Sequence, residues 1–312
     1  MLARSARMLA LLLLLVPDAA SATVVNVELK FSPYVGTPAK EDKVESVAGV
    51  AAIFLNGVPY GEQPVQKESL PVLFKEREIG PSVWIPVDSL GPVVRRGKNT
   101  IRIEFVPVDE DVSYRGRLSW ASVTDEENTA AEDGKTMATN QTGTGREEKS
   151  GKGRMIFERE IVADFAPDLP WHHYDGVKSL SDDDKKKLAA LVLKRVGVFK
   201  PDFKGLYEIL GRNERVELSK IKAAKCVDAA HAAGVKIDAP KAEELAFVTT
   251  GNPEVMITRK DGKLFRPANP ESFAKIKGGE EIQMCAGIAL SLVFPPQLVV
   301  VRDPEGAWSV AY

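Results

Sequence analysis

The hydrophobic period of this chain changes at Pro170, from two to 3.6, and no single packed layer accommodates both patterns. Upstream, Val25, Val27, Leu29 and Phe31 alternate with Asn26, Glu28 and Lys30, and Ile101, Ile103 and Phe105 alternate with Arg102 and Glu104. That is the mark of half-buried strands. Further strands are predicted at 50–55, 82–87 and 117–123, set apart by turns at Asn56-Gly57, Gly80-Pro81, Gly91-Pro92 and Gly97-Lys98-Asn99. Short strands at this spacing predict an all-β antiparallel sandwich over residues 23–166.

Downstream, Ser181 precedes three aspartates as an N-cap, and Leu188, Leu191, Val192, Val196 and Phe199 recur at helical spacing until Pro201. A second short helix carries Phe203, Leu206, Tyr207 and Leu210 and ends at Gly211, and a third spans about 214–234. Strand-like runs follow at 245–250, 254–259, 282–294 and 297–312, the last broken by the turn Asp303-Pro304-Glu305-Gly306. Helices first and strands after predict an α+β domain over residues 181–312. A length of 312 residues agrees with two domains.

Residues 125–153 contain almost no large apolar side chain, so burial there cannot offset the entropy of ordering. The stretch is expected to be a mobile loop. It contains a formal glycosylation acceptor, Asn140-Gln141-Thr142. In residues 155–165, Met155, Phe157, Ile161 and Phe165 oppose Glu158, Glu160 and Asp164, with Arg159 interrupting the apolar face. Pairing of this strand with 118–123 would complete the sandwich and make 125–153 an insertion; an interdomain linker is the other arrangement.

Arg4 and Arg7, the apolar run Met8 to Val16 and the small residues Ala20-Ser21-Ala22 read as a secretory signal peptide over residues 1–22. The expected destination is the periplasm or the extracellular medium, with no membrane span after cleavage. The only two cysteines, Cys226 and Cys285, are then a candidate disulfide, two buried free thiols being the alternative.

FLNGVPYG at 54–61, followed by RRGKNTIRIEF at 95–105, resembles the strand, Asn-Gly turn, Gly-x-Asn, strand pattern of galactose-binding-like β-sandwich modules. Asn56, Gly57, Gly97 and Asn99 are structural with or without this resemblance, because such turns need positions tolerant of positive φ in any sandwich, and no ligand contact carries over through them. In the second half the element order, ending in LVVVRDPEGAWSVAY, resembles the cone-shaped fold of nuclear-transport-factor-2-like domains, in which helices cover a curved sheet around a pocket. A strand usual in that fold between the second and third helices is not evident, and no catalytic residue carries over.

A formal net charge of −2 gives no reason to expect nucleic acid, and the basic cluster Arg95-Arg96-Gly97-Lys98 reads as a solvated turn. There is no phosphate-cradling glycine loop, no G-x-S-x-G elbow, no H-E-x-x-H and no C-x-x-C. With His172, His173 and His231 the only histidines, neither metal nor cofactor is expected. Asp228 and His231, three apart on a helix, are the catalytic candidates, against the plainer reading of a helical side-chain pair.

The segment PWHHYDG, 170–176, is expected to act within a hinge at 167–180, with Trp171 and Tyr174 packed across the seam and His172 and His173 partly exposed. A ligand or catalytic site at the domain junction, built on these four residues, is the alternative. Among the aromatic residues of the first half, Trp84 and Trp120 are expected in the core, and Tyr60 is the candidate for an exposed ring that stacks on a sugar or grips a peptide. Together these features predict an exported, non-catalytic binding or assembly module for a carbohydrate or protein partner. A small hydrolase or isomerase using a pocket in the α+β half is the rival.

Overall fold

The computed structural model describes residues 24–73, 77–124, 141–213 and 216–311. The leader at 1–22 and the acceptor Asn140 lie outside them. The N-terminal half is strand-rich: β1 Val24–Val35, β2 Lys43–Ser46, β3 Gly49–Leu55, β4 Val58–Val65, β5 Ser69–Leu73, β6 Glu78–Ile79, β7 Val83–Pro86, β8 Lys98–Pro107, β9 Tyr114–Thr124, β10 Gln141–Gly151 and β11 Met155–Val162. They form two antiparallel sheets. One has the order β10-β9-β1-β2-β5-β6 with β7 also paired to β1, and the other the order β11-β8-β3-β4.

Alternation explains how the sheets meet. Leu29 and Phe31 of β1 face Ile103 and Phe105 of β8 and Phe157 of β11 in one apolar cluster, where the Phe31 ring lies 5.7 Å from Phe105 and 5.5 Å from Phe157. Each of these side chains is essentially fully buried, and burial of that kind contributes about 1.5–3 kcal/mol per large apolar side chain.

Two expectations for this half are corrected. Residues 141–151, read as part of a mobile loop, form β10 and pair with β9 in a long antiparallel register. Gly145 permits this, because a Cβ there would lie 2.1 Å from the Trp120 indole. Of the expected loop, only 125–140 lies outside the described residues. Secondly, β11 pairs with β8 and not with 118–123, since β10 already occupies that edge of β9. Arg159 on β11 then stacks over Trp120 at 4.5 Å and meets Glu147 at 2.6 Å, which accounts for a charge on the otherwise apolar face of that strand.

The C-terminal half holds α1 Asp182–Val196, α2 Lys204–Leu210, α3 Leu218–Ala224, α4 Cys226–Ala232, β12 Leu245–Thr249, β13 Glu254–Arg259, α5 Glu280–Val293, β14 Leu298–Arg302 and β15 Trp308–Val310. Its antiparallel sheet runs β12-β13-β14-β15 and packs with the helices on a second apolar cluster. Ser181 caps α1 as expected, accepting from the Asp184 amide at 3.1 Å. The third expected helix breaks into α3 and α4 at Lys225, whose φ of 51° leaves the helical region. Residues 282–294 are not a strand: 282–293 lie in α5 and Phe294 is its C-cap, and Cys285 therefore sits on a helix. The Cys226–Cys285 disulfide ties α4 to α5 across 59 residues. Among the described residues no helix is long and apolar enough to cross a membrane.

Candidate functional site

The segment PWHHYDG lies against both halves. Pro170–His173 form a single 3-10 turn, which points the two histidines in different directions. His173 is exposed and meets the Asp168 carboxylate at 2.6 Å. His172 is buried, contrary to the expected partial exposure, because its ring bridges two backbone groups: Nδ1 accepts from the Leu169 amide at 3.2 Å and Nε2 donates to the Pro92 carbonyl at 2.8 Å. Trp171 stacks edge-on against it at 4.2 Å. Gly176 abuts the backbone of the second half, since a Cβ there would lie 2.0 Å from the Gly251 carbonyl oxygen.

The turns expected to be purely structural are structural, and they also meet the second half. Asn56 and Gly57 have φ of 51° and 79°, and Gly97 has 87°. The Asn56 amide donates to Asn99 Oδ1 at 3.0 Å, while Asn99 donates to the Arg95 carbonyl at 2.6 Å, so the two loops are tied together. Asn252 donates to the Asn56 carbonyl at 2.5 Å, and Gln297 donates to the carbonyls of Pro59 and Tyr60 at 3.0 Å. Tyr60 is half-buried and packs on the first core, so it is not the exposed ring expected. Arg95 corrects the reading of its cluster as a solvated turn: its Nη2 meets both oxygens of Glu254 at 2.6 and 2.5 Å, and Glu254 is 1% exposed.

Burial holds the His172 pKa below its ordinary value of 6.5; the Pro92 carbonyl, Glu254 and Asp168 oppose that shift, and Arg95 adds to it. Protonation would also put a proton on Nδ1, where the Leu169 amide already donates. The unfolded chain therefore binds the proton more readily, and the His172 contribution to stability is complete above pH 6.5 and declines as pH falls below it. We expect the urea midpoint to fall between pH 6.5 and pH 5 in the natural chain and to stay nearly level in His172→Gln; parallel curves would refute the assignment.

His173 and Tyr174 line an open cleft of about 400 Å³ with Asp175, Asp184, Arg302 and the 303–306 turn. Asp184 is already committed: hydrogen bonds from Ser181 and from the Trp308 indole at 2.9 Å hold its carboxyl below the usual range. No cluster of three or more His, Cys, Asp or Glu suited to a metal is present among the described residues. Asp228 and His231 are elsewhere. Asp228 is exposed and accepts from the Tyr207 hydroxyl at 3.3 Å, and His231 packs edge-on against Phe199 and Phe203 at 5.6 Å from each. Neither lines this cleft.

The outer face of the larger sheet carries an aromatic ring and a set of charges that the sequence pattern does not bring together. Val83 and Ile85 enter the core, so Trp84 between them points out and is 53% exposed, against the expectation that it is a core residue. Trp120 is partly buried on the core. The strand register sets Trp84, Lys30, Ser119 and Arg146 in one row across β7, β1, β9 and β10. The next row holds Ser32, Arg117 and Glu148, and the one after it Tyr34, Arg115 and Ser150. Beside these rows lies a second cleft of about 370 Å³, where Arg77, Arg115, Arg117 and Arg146 surround Glu148. Arg115 and Arg117 at a period of two were a visible signal for a charged outer face; their convergence with Arg77 and Arg146 was not.

No protein-family model, no curated protein and no solved structure matches this chain.

Proposed function

We propose that the chain is a non-catalytic binding module whose partner is a carbohydrate lying across the outer face of the seven-stranded sheet. The observation that carries this reading is Trp84, a large ring 53% exposed on the outer sheet face, in one cross-strand row with the hydrogen-bonding side chains of Lys30 and, one strand further, Ser119. An indole face offers apolar area to the C–H face of a sugar while polar neighbours meet its hydroxyls. The hydrolase or isomerase alternative would need a concave site holding Asp228 and His231, and both side chains are taken up by the 199–207 segment, Asp228 by the Tyr207 hydroxyl and His231 by the rings of Phe199 and Phe203.

In this reading the two apolar cores are two domains joined through residues 167–180, and the chain is exported. The Cys226–Cys285 disulfide supports an oxidising compartment. The test is binding of the full chain to immobilised neutral and acidic oligosaccharides, compared with Trp84→Ala. The variant should keep its unfolding midpoint, because the ring is largely outside the core, and should bind about tenfold more weakly, equivalent to roughly 1.4 kcal/mol. Equal binding by both proteins, or binding by neither, would refute the reading.

A further inference from the structure

We propose that the arginine cleft beside Trp84 holds an oxyanion group of the bound saccharide, so that the ligand is a polyanionic glycan and not a neutral one. The inference rests on the reading of the Trp84 face as the carbohydrate surface. Its basis is a reversal of sign: the chain has a formal net charge of −2, yet four guanidinium groups gather around the single carboxylate of Glu148 in this cleft. Asp42 meets Arg77 at 3.1 Å from the rim, and positive charge still remains in excess.

Three of the arginines have partners and Arg146 is open. Arg77 donates to the Pro38 carbonyl at 2.8 Å and to the Glu41 carbonyl at 2.5 Å, which pins the loop at 37–42 beside the sheet. Arg117 donates to Glu148 at 3.0 Å and to the Arg77 carbonyl at 3.1 Å, and its guanidinium lies 5.5 Å from the buried Tyr34 ring. These two form a fixed positive floor. Arg115 lies 3.7 Å from Glu148 and hydrogen-bonds the Tyr34 hydroxyl, whereas Arg146 is exposed, with no hydrogen bond or ion pair of its side chain among the described residues.

Guanidinium forks match the paired oxygens of carboxylate, sulfate and phosphate groups, and free donors beside fixed charges need little reorganisation to bind them. A cleft lined by one sign of charge also concentrates its counter-ion. Arg146 stands in the same cross-strand row as Trp84, three strand spacings away, or about 14 Å. A saccharide stacked on the ring and running across the strands therefore reaches the cleft. Carboxylate from a uronic acid and sulfate from a sulfated sugar share the required chemistry.

The experiment titrates the full chain with oligogalacturonate, heparin oligosaccharide, neutral cello-oligosaccharide and oligoglutamate, at low and moderate salt. An acidic saccharide should bind at least tenfold more tightly than the neutral one, and the better of the two acidic probes identifies carboxylate or sulfate as the group. Arg146→Glu and Arg115→Glu should each weaken that binding at least tenfold and flatten its salt dependence, and Arg146→Gln should fall between. Arg146→Glu should leave the unfolding midpoint unchanged. Equal affinity for neutral and acidic saccharides, lost in Trp84→Ala but untouched in Arg146→Glu, would overturn the anionic inference and leave the carbohydrate reading standing. Tighter binding of oligoglutamate than of any saccharide, or no binding of any probe, would overturn both.

Discussion

Arg95→Ala should destabilise the chain by about 3–5 kcal/mol, the usual cost of leaving one member of a buried ion pair without its partner. Glu254 is 1% exposed and both of its carboxylate oxygens face Arg95, so the variant strands a negative charge where water does not reach. The pair also links the loop before β8 to the start of β13, residues 159 apart in the chain. Its loss should therefore loosen the two halves as well as lower the urea midpoint, with cleavage by a protease appearing earlier than global unfolding. Arg95→Met with Glu254→Leu should recover much of the loss, because an apolar pair of similar volume needs no counter-charge. A cost below about 1 kcal/mol for Arg95→Ala would show that water reaches the carboxylate and that the pair behaves as a surface one.

Removal of the disulfide is the other large effect. Cys226–Cys285 closes a loop of 59 residues between α4 and α5, and the chain-entropy model assigns such a loop about 4 kcal/mol. Cys226→Ala combined with Cys285→Ala should lower stability by that order, and reductant should lower the midpoint of the natural chain while leaving the double variant unmoved. Cys226 is fully buried, so reduction should be slow until the helices part. Two reactive thiols in the unfolded, unreduced chain would disprove the bridge.

How much of the fold is legible in the sequence depends on how local each decision is. The strands β1 and β8, the cap of α1 at Ser181 and the turn between β14 and β15 follow from energies confined to a few neighbouring residues: alternation, an N-cap acceptor and a turn with Gly306 at φ 85°. The helix α5 does not follow. Its sequence is apolar nearly all round, with Met284 and Ile288 exposed opposite buried Ala286, Ala289 and Leu290, so periodicity does not separate helix from strand there. The strand β10 escapes for the opposite reason. It is almost wholly polar, and pairing with β9 and the close approach of Trp120 to Gly145 determine it where hydrophobicity cannot.

The candidate surface divides the same way. Alternation around Trp84 is present in the chain, since Val83 and Ile85 must point inward together and the residue between them outward. Whether the outward side is covered by another layer is not a local matter. By itself the sequence determined the period of each segment, the caps and turns, and the pair of cysteines available to join. Only the tertiary structure decided which strands are neighbours and in what register. That choice sets Arg146 of β10 in line with Trp84 of β7, and it buries Arg95 against Glu254 and His172 beneath Pro92. Register and burial arise from contacts between segments far apart in the chain, where the hydrogen bonds and apolar area gained outweigh any preference that a few adjacent residues express.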